Sequence, residues 1–178
     1  MDELEKQLLS RFEEECPGAK VLAFFVAGSH FFDLNGPNSD RDYRAVYMPS
    51  AAQFALQKEL LKNKDHQKHK NPQEKYHTWP KQLKLDTNKG KKKNTKDDVD
   101  CTFYSLDEFL FLLSKWDFNM LEMLYAPESK ALVMTEEFQE LVKLREMFYP
   151  EDLYAFVGFV SSEFDKLGLN NSSFYKYE

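Results

Sequence analysis

A chain of 178 residues with a net charge of −6 suits one domain, or one domain with a small helical appendage. Hydrophobic residues make up 42% and aromatics 15%, including sixteen Phe and nine Tyr, which excludes a globally disordered chain. The charge is uneven: residues 58–96 hold thirteen Lys and four acidic residues, about +9, leaving about −15 elsewhere, which excludes a uniformly DNA-coating protein.

Leu4, Leu8, Leu9 and Phe12 recur at helical spacing, so residues 2–15 read as an amphipathic helix ended by Pro17-Gly18. This acidic N-terminus is unlike a signal or transit peptide, and no apolar run is long enough to span a bilayer. Cys16 and Cys101 are far apart in no metal-like spacing, and the expectation is a cytoplasmic protein with both thiols reduced. "KVLAFFVAG" is a short continuous apolar run and reads as a buried strand. "RDYRAVYMP" is the next strand, stopped by Pro49, and "SAAQFALQKELL" is a helix capped by Ser50.

Residues 58–97 show no sustained period and read as a long mobile insertion, with a local turn around Trp79-Pro80. In "VDCTFYS", Val99, Cys101 and Phe103 alternate with Asp100, Thr102 and Tyr104, the pattern of a half-exposed strand. Ser105 and Glu108 form a capping-box pattern for the helix "LDEFLFLLSKW". "DFNMLEMLYAP" is a short helix and "ALVMT" a brief strand; Thr135 caps "EEFQELVKLREMFY", and another helix follows Pro150. The expected class is α+β, a small mixed β-sheet flanked by helices with a helical C-terminal part. The expected division is a core over 1–115, interrupted by the Lys-rich insertion, and a helical region over 116–178.

Asp40 and Asp42 are two residues apart, so on a strand they face one side with their bases roughly 7 Å apart. Like charges at that spacing repel unless a cation lies between them. Asp100, at the outward phase of another strand, completes a set of three carboxylates able to hold a pair of hard cations such as Mg²⁺ or Mn²⁺. Asp98 shares the phase of Asp100 and competes for the third place, although Asp100 lies deeper in the strand. Ahead of them, Gly28 lets backbone N–H groups approach a phosphate closely, and the Ser29 hydroxyl adds a donor.

A hydrophobic strand, Gly28-Ser29, ten intervening residues, Asp40-Arg41-Asp42 and a later Asp100 on a third strand resemble the nucleotidyltransferases of the DNA polymerase beta superfamily. Within it, "AGSHFFDLNGPNSDRDYRAVYMP", "DCTFYSLDEFLFLL" and "NMLEMLYAP" look like a nucleotidyltransferase group associated with RNA repair in bacteria and phages, over about residues 20–165. The resemblance implies a two-metal enzyme that moves a nucleoside monophosphate from an NTP to a hydroxyl acceptor, RNA favoured, and releases pyrophosphate. Gly28 and Ser29 would contact the β and γ phosphates, Asp40 and Asp42 would bind both metals, and Asp100 would hold the catalytic metal and help deprotonate the acceptor. Arg44, at the Arg of the family's "SDxDxR", would meet a phosphate. Asn119 and Glu122 fall in the family's "NxxxLELL"-like block without an assigned role. Asp100 also matches the family's Asp-x-x-x-Tyr spacing through Tyr104. Arg41 stands where the family has a hydrophobic residue, suggesting a solvent-exposed strand face. The chain also stops short of the family's longer helical region.

Other residues carry weaker signals. His30 follows the Gly-Ser turn and can touch phosphate, although packing is an equal reading. His66, His69 and His77 have no neighbouring Cys to complete a zinc set and read as solvated. The Lys-rich stretch of 58–96 is a solvated loop or an electrostatic handle for RNA, with Tyr76 and Trp79 offering stacking surfaces. The rival to an enzyme is an inactive module of the same fold that binds nucleic acid or a partner protein.

Overall fold

Among the described residues, five short runs of alternating or continuous apolar character assemble into one mixed sheet, in the spatial order Gln82–Lys84, Val99–Ser105, Arg41–Met48, Lys20–Ala27 and Ala131–Met134. The computed structural model describes residues 1–53, 82–87, 95–148, 157–158 and 160–162. The strands are β1 (Lys20–Ala27), β2 (Arg41–Met48), β3 (Gln82–Lys84), β4 (Val99–Ser105) and β5 (Ala131–Met134). β1 lies antiparallel to β2 and β5, β4 lies antiparallel to β3, and the central β2–β4 pair is parallel. The helices are α1 (Glu3–Glu15), α2 (Gly28–Phe31), α3 (Leu106–Ser114), α4 (Phe118–Leu124) and α5 (Glu136–Lys143). The α+β expectation is met.

α1 starts where Asp2 accepts from the Glu5 N–H and Glu5 reaches back to the Asp2 N–H, a capping box that satisfies two orphan donors. Its apolar stripe buries Leu8 and Phe12 against one face of the sheet. Phe12 stacks on Phe103 with centroids 4.4 Å apart and meets Tyr47 edge-on at 5.0 Å. Full burial of such a ring contributes about 1.5–3 kcal/mol. The opposite face carries Ala23, Phe25 and Val46 and is covered by Phe109 and Leu113 of α3, Met120, Met123 and Leu124 of α4, and Phe138 of α5. Both faces being covered, the even positions of β4 are half-buried rather than exposed. No helix among the described residues is long and apolar enough to cross a membrane.

Several local expectations shift. Part of the Lys-rich stretch is regular after all: β3 forms the sheet edge, with Leu83 opposite Phe103, and Leu85 is 3% exposed. The Leu85 and Thr87 N–H groups continue the ladder to the carbonyls of Cys101 and Val99. Leu83 and Leu85 have the two-residue period of a strand, hidden among lysines. His66, His69, His77, Tyr76 and Trp79 lie outside the described residues, as does most of the helix expected after Pro150. Ser105 sits at the N-cap of α3, yet its hydroxyl donates to Asp107 rather than accepting from the helix, so the expected capping box is absent. A reciprocal box forms at Ser50 instead, where Ser50 and Gln53 exchange bonds around the helical residues 51–53. α5 ends at Lys143 and gives way to a 3₁₀ turn over Arg145–Phe148, shorter than the expected helix.

Candidate active site

β2 and β4 run parallel with Asp42 directly opposite Asp100, so the pleat sends both side chains to one face of adjacent strands. Asp40 precedes β2. One carboxylate oxygen from each of Asp40, Asp42 and Asp100 lies within 4.8 Å of the other two. At about 4 Å two such charges repel by roughly 1–4 kcal/mol, depending on how much water screens them. The Asp42 carboxyl accordingly rises above its ordinary pKa, first through desolvation and then through Asp40 and Asp100, with Arg44 and His30 opposing.

Asp98, the rival third carboxylate, does other work. It is 2% exposed and accepts from the N–H and hydroxyl of Thr95, each at 2.8 Å, so it secures the turn leading into β4. Asp100 is the member of the pair that joins the cluster.

At the end of β1, opposite Asp42, the chain turns through Gly28 with φ +58°. A Cβ at this position would fall 1.9 Å from Asp42 Oδ2 and 2.7 Å from its Cγ. The Asp42 carboxylate therefore occupies the space a side chain would fill. α2 continues the turn, and within it Ser29 Oγ and His30 Nε2 are buried without a hydrogen-bond partner among the described residues. Buried polar atoms left unmatched are uncommon, and these two follow directly on the glycine that abuts Asp42. A cavity of about 260 Å³ opens between His30 and Asp42 and runs back to Arg41 and Tyr43, so the turn borders an open cleft.

The donors fit a hard divalent cation. All three are carboxylate oxygens, the ligand class Mg²⁺ and Mn²⁺ prefer. Two oxygens on one Mg²⁺ are at most about 4.2 Å apart, so small rotations would bring these three to one ion.

Arg44 shares the face of Asp42 and is anchored from the far side: its guanidinium pairs with Glu122 Oε2 at 2.9 Å, with side-chain exposures of 20% and 5%. Burial raises the Glu122 carboxyl pKa, with Arg44 opposing and Asp42 adding to the rise. The sequence singled out Glu122 without a role, because nothing local reveals a partner 78 positions away. We expect Glu122→Ala to destabilise the fold by about 3 kcal/mol, since it leaves a largely buried guanidinium unpaired. Glu122→Gln, which keeps an acceptor, should cost less than half as much in urea unfolding; equal losses would show that the negative charge, not an acceptor alone, holds Arg44. Asn119 contributes its backbone N–H to Asp117 Oδ1 at the start of α4. Arg41 is exposed and pairs with Asp2 of α1 at 2.7 Å, but the same strand face buries Tyr43, Ala45 and Tyr47. The expected solvent-exposed face is thus confined to Arg41.

Nothing in the sequence singles out Lys130. It stands just ahead of β5, and its ammonium donates to the His30 carbonyl of α2 at 2.7 Å. A lysine in "PESK" carries no local signature of such a contact.

Among curated proteins the chain is similar to an uncharacterized 38.9 kDa protein of the nrdC-mobD intergenic region of Enterobacteria phage T4. The two are 28% identical over 157 residues, covering 85% of this chain and 39% of the phage protein. The chain thus spans well under half of that relative's length. The sequence profile of the RNA repair pathway DNA polymerase beta family matches residues 1–176, a span that includes the three carboxylates, the Gly28 turn and the Arg44–Glu122 pair, and the chain belongs to that family.

Proposed function

We propose that the protein is a divalent-cation-dependent nucleotidyltransferase that passes the nucleoside monophosphate of an NTP to a hydroxyl acceptor, RNA favoured. The observation that carries this reading is the convergence of Asp40, Asp42 and Asp100 beside a glycine turn whose missing side chain makes room for the Asp42 carboxylate. Family membership supports the reaction class.

In the proposed reaction the acceptor oxygen forms a bond to the α-phosphorus while the bond from that phosphorus to the bridging oxygen breaks. Pyrophosphate leaves in line with the attack. Asp40, Asp42 and Asp100 would hold Mg²⁺ or Mn²⁺, which when bound neutralises phosphate charge and acidifies the attacking hydroxyl. The Asp100 carboxylate accepts the acceptor's proton. Ser29 Oγ and His30 Nε2, buried and unmatched, gain phosphate oxygens as partners. Arg44, braced by Glu122, keeps further N–H donors for the same phosphates. The protein's contribution is positioning and preorganised charge. The thirteen lysines of residues 58–96 would attract an RNA backbone, a sequence-independent contact weakened by salt.

The test is incubation of the full chain with each labelled NTP, Mg²⁺ or Mn²⁺, and total RNA. Label should enter RNA with release of pyrophosphate, and a chelator should stop both. Labelling of protein in place of RNA would move the acceptor. Absence of cation-dependent NTP binding would favour the inactive module.

A further inference from the structure

We propose that Lys130 is a positioning residue that pins the phosphate-binding turn to the edge of the sheet; this rests on the nucleotidyltransferase reading of that turn. β5 pairs antiparallel with β1, with Ala131 opposite Phe25, which delivers Lys130 to the end of β1 where the Gly28 turn begins. The lysine side chain is 15% exposed, and its ammonium donates to the His30 carbonyl at 2.7 Å and pairs with the Asp33 carboxylate. A hundred residues of chain separate the two ends of this contact.

α2 needs such an anchor. It is a single turn of four residues, too short to persist on its own, and its last carbonyls have no partners within the helix. The Leu34 N–H satisfies the Ser29 carbonyl at 2.9 Å, and Lys130 satisfies that of His30. A cation at this end also complements the negative pole of the turn. The Asp33 side chain is 82% exposed, so that ion pair contributes little. The partly buried bond to the carbonyl is the effective one. What it holds is consequential: the same four residues carry Gly28 against Asp42 and the unmatched Ser29 Oγ and His30 Nε2. The triad itself is placed mainly by the β2–β4 register, which Lys130 does not touch.

The test compares Lys130→Met, which keeps an apolar stem, with Lys130→Arg and Asp33→Asn in the full chain. Three quantities are read: steady-state kinetics with NTP, hydrogen exchange of the Leu34 amide, and Mn²⁺ affinity without nucleotide. Lys130→Met should raise KM for NTP about tenfold, the scale of one lost hydrogen bond from a charged donor, with kcat within about twofold. It should also speed exchange at Leu34 and leave Mn²⁺ affinity within about twofold, because the carboxylates remain. Lys130→Arg should recover most of the loss, and Asp33→Asn should change none of the three. A raised KM with unaltered Leu34 exchange would make Lys130 a direct phosphate contact and overturn the proposal, as would a Lys130→Met protein that behaves like wild type. A wild type without NTP affinity would sink the nucleotidyltransferase reading but not the hold on the turn, which Leu34 exchange decides by itself.

Discussion

Asp42→Asn is expected to abolish nucleotidyl transfer, by a factor of about a thousand or more in kcat/KM, and at the same time to stabilise the cation-free fold. The two effects share a cause. Asp42 is half-buried between Asp40 and Asp100, and its carboxyl pKa is raised by lost hydration and by both neighbours. A carboxyl raised in the folded state binds its proton more tightly there than in the unfolded chain. Stability of the cation-free protein therefore falls as pH climbs above the ordinary value of 3.8 and through the raised one, and it remains low at neutral pH. Asparagine has nearly the same shape and no charge, so the repulsion and its pH dependence both shrink. Mg²⁺ or Mn²⁺ should reverse the order. Cation saturation at a hundred times Kd adds about 2.7 kcal/mol to the wild type and little to the variant. Melting curves in chelator and in cation decide the matter. If Asp42→Asn melts below wild type in chelator, or both proteins gain equally from cation, the carboxylates serve some other purpose.

How far the sequence discloses this site depends on the distance over which each part is encoded. Asp40 and Asp42 are legible because a strand period of two is local, and Asp100 because Val99, Cys101 and Phe103 set the phase of β4. The Gly-Ser turn is legible for the same reason, as it ends an unmistakable apolar run. That Asp42 and Asp100 stand opposite one another is a matter of parallel register, and no residue in either strand declares it. The same holds for Arg44 with Glu122 and for Lys130 with His30, each a polar contact between segments far apart in the chain. β3 is hidden because Leu83, with Leu85 just beyond the strand, supplies the whole apolar signal while lysines dominate the composition. Its recovery also constrains experiments on RNA binding: deleting the Lys-rich stretch wholesale would remove Gln82–Lys84 and uncover the edge of β4. Ser105 shows the opposite error, a local pattern outcompeted by the neighbouring Asp107 once the hydroxyl was buried.

Gly28→Ala is expected to cost about a hundredfold in activity although alanine adds only one methyl group. Two separate demands meet at this residue. Its φ of +58° is open to glycine and costs an L-residue about 1–2 kcal/mol. The added carbon would also land 1.9 Å from Asp42 Oδ2, a distance no contact tolerates, and Asp42 Cβ at 3.0 Å closes the retreat. Either the carboxylate swings away from Asp40 and Asp100 or the turn moves off the end of β1. Both outcomes separate the triad from Ser29 and His30, and displacement of reacting groups by about 1 Å is enough for a hundredfold loss. Gly36→Ala is the internal control, since a Cβ there meets nothing within 4 Å and φ is not positive. It should leave activity, cation affinity and melting temperature unaltered. Trimming the opposing side chain tests the clash with the carboxylate: Gly28→Ala placed on an Asp42→Ala background should destabilise less than on wild type, leaving the backbone strain and the tight contact with the residue 42 Cβ at 3.0 Å. Additive losses in that cycle, or a Gly28→Ala protein with undiminished transfer, would mean that the Asp42 carboxylate has room to spare and that the close fit between turn and carboxylate is not what aligns phosphate with cation.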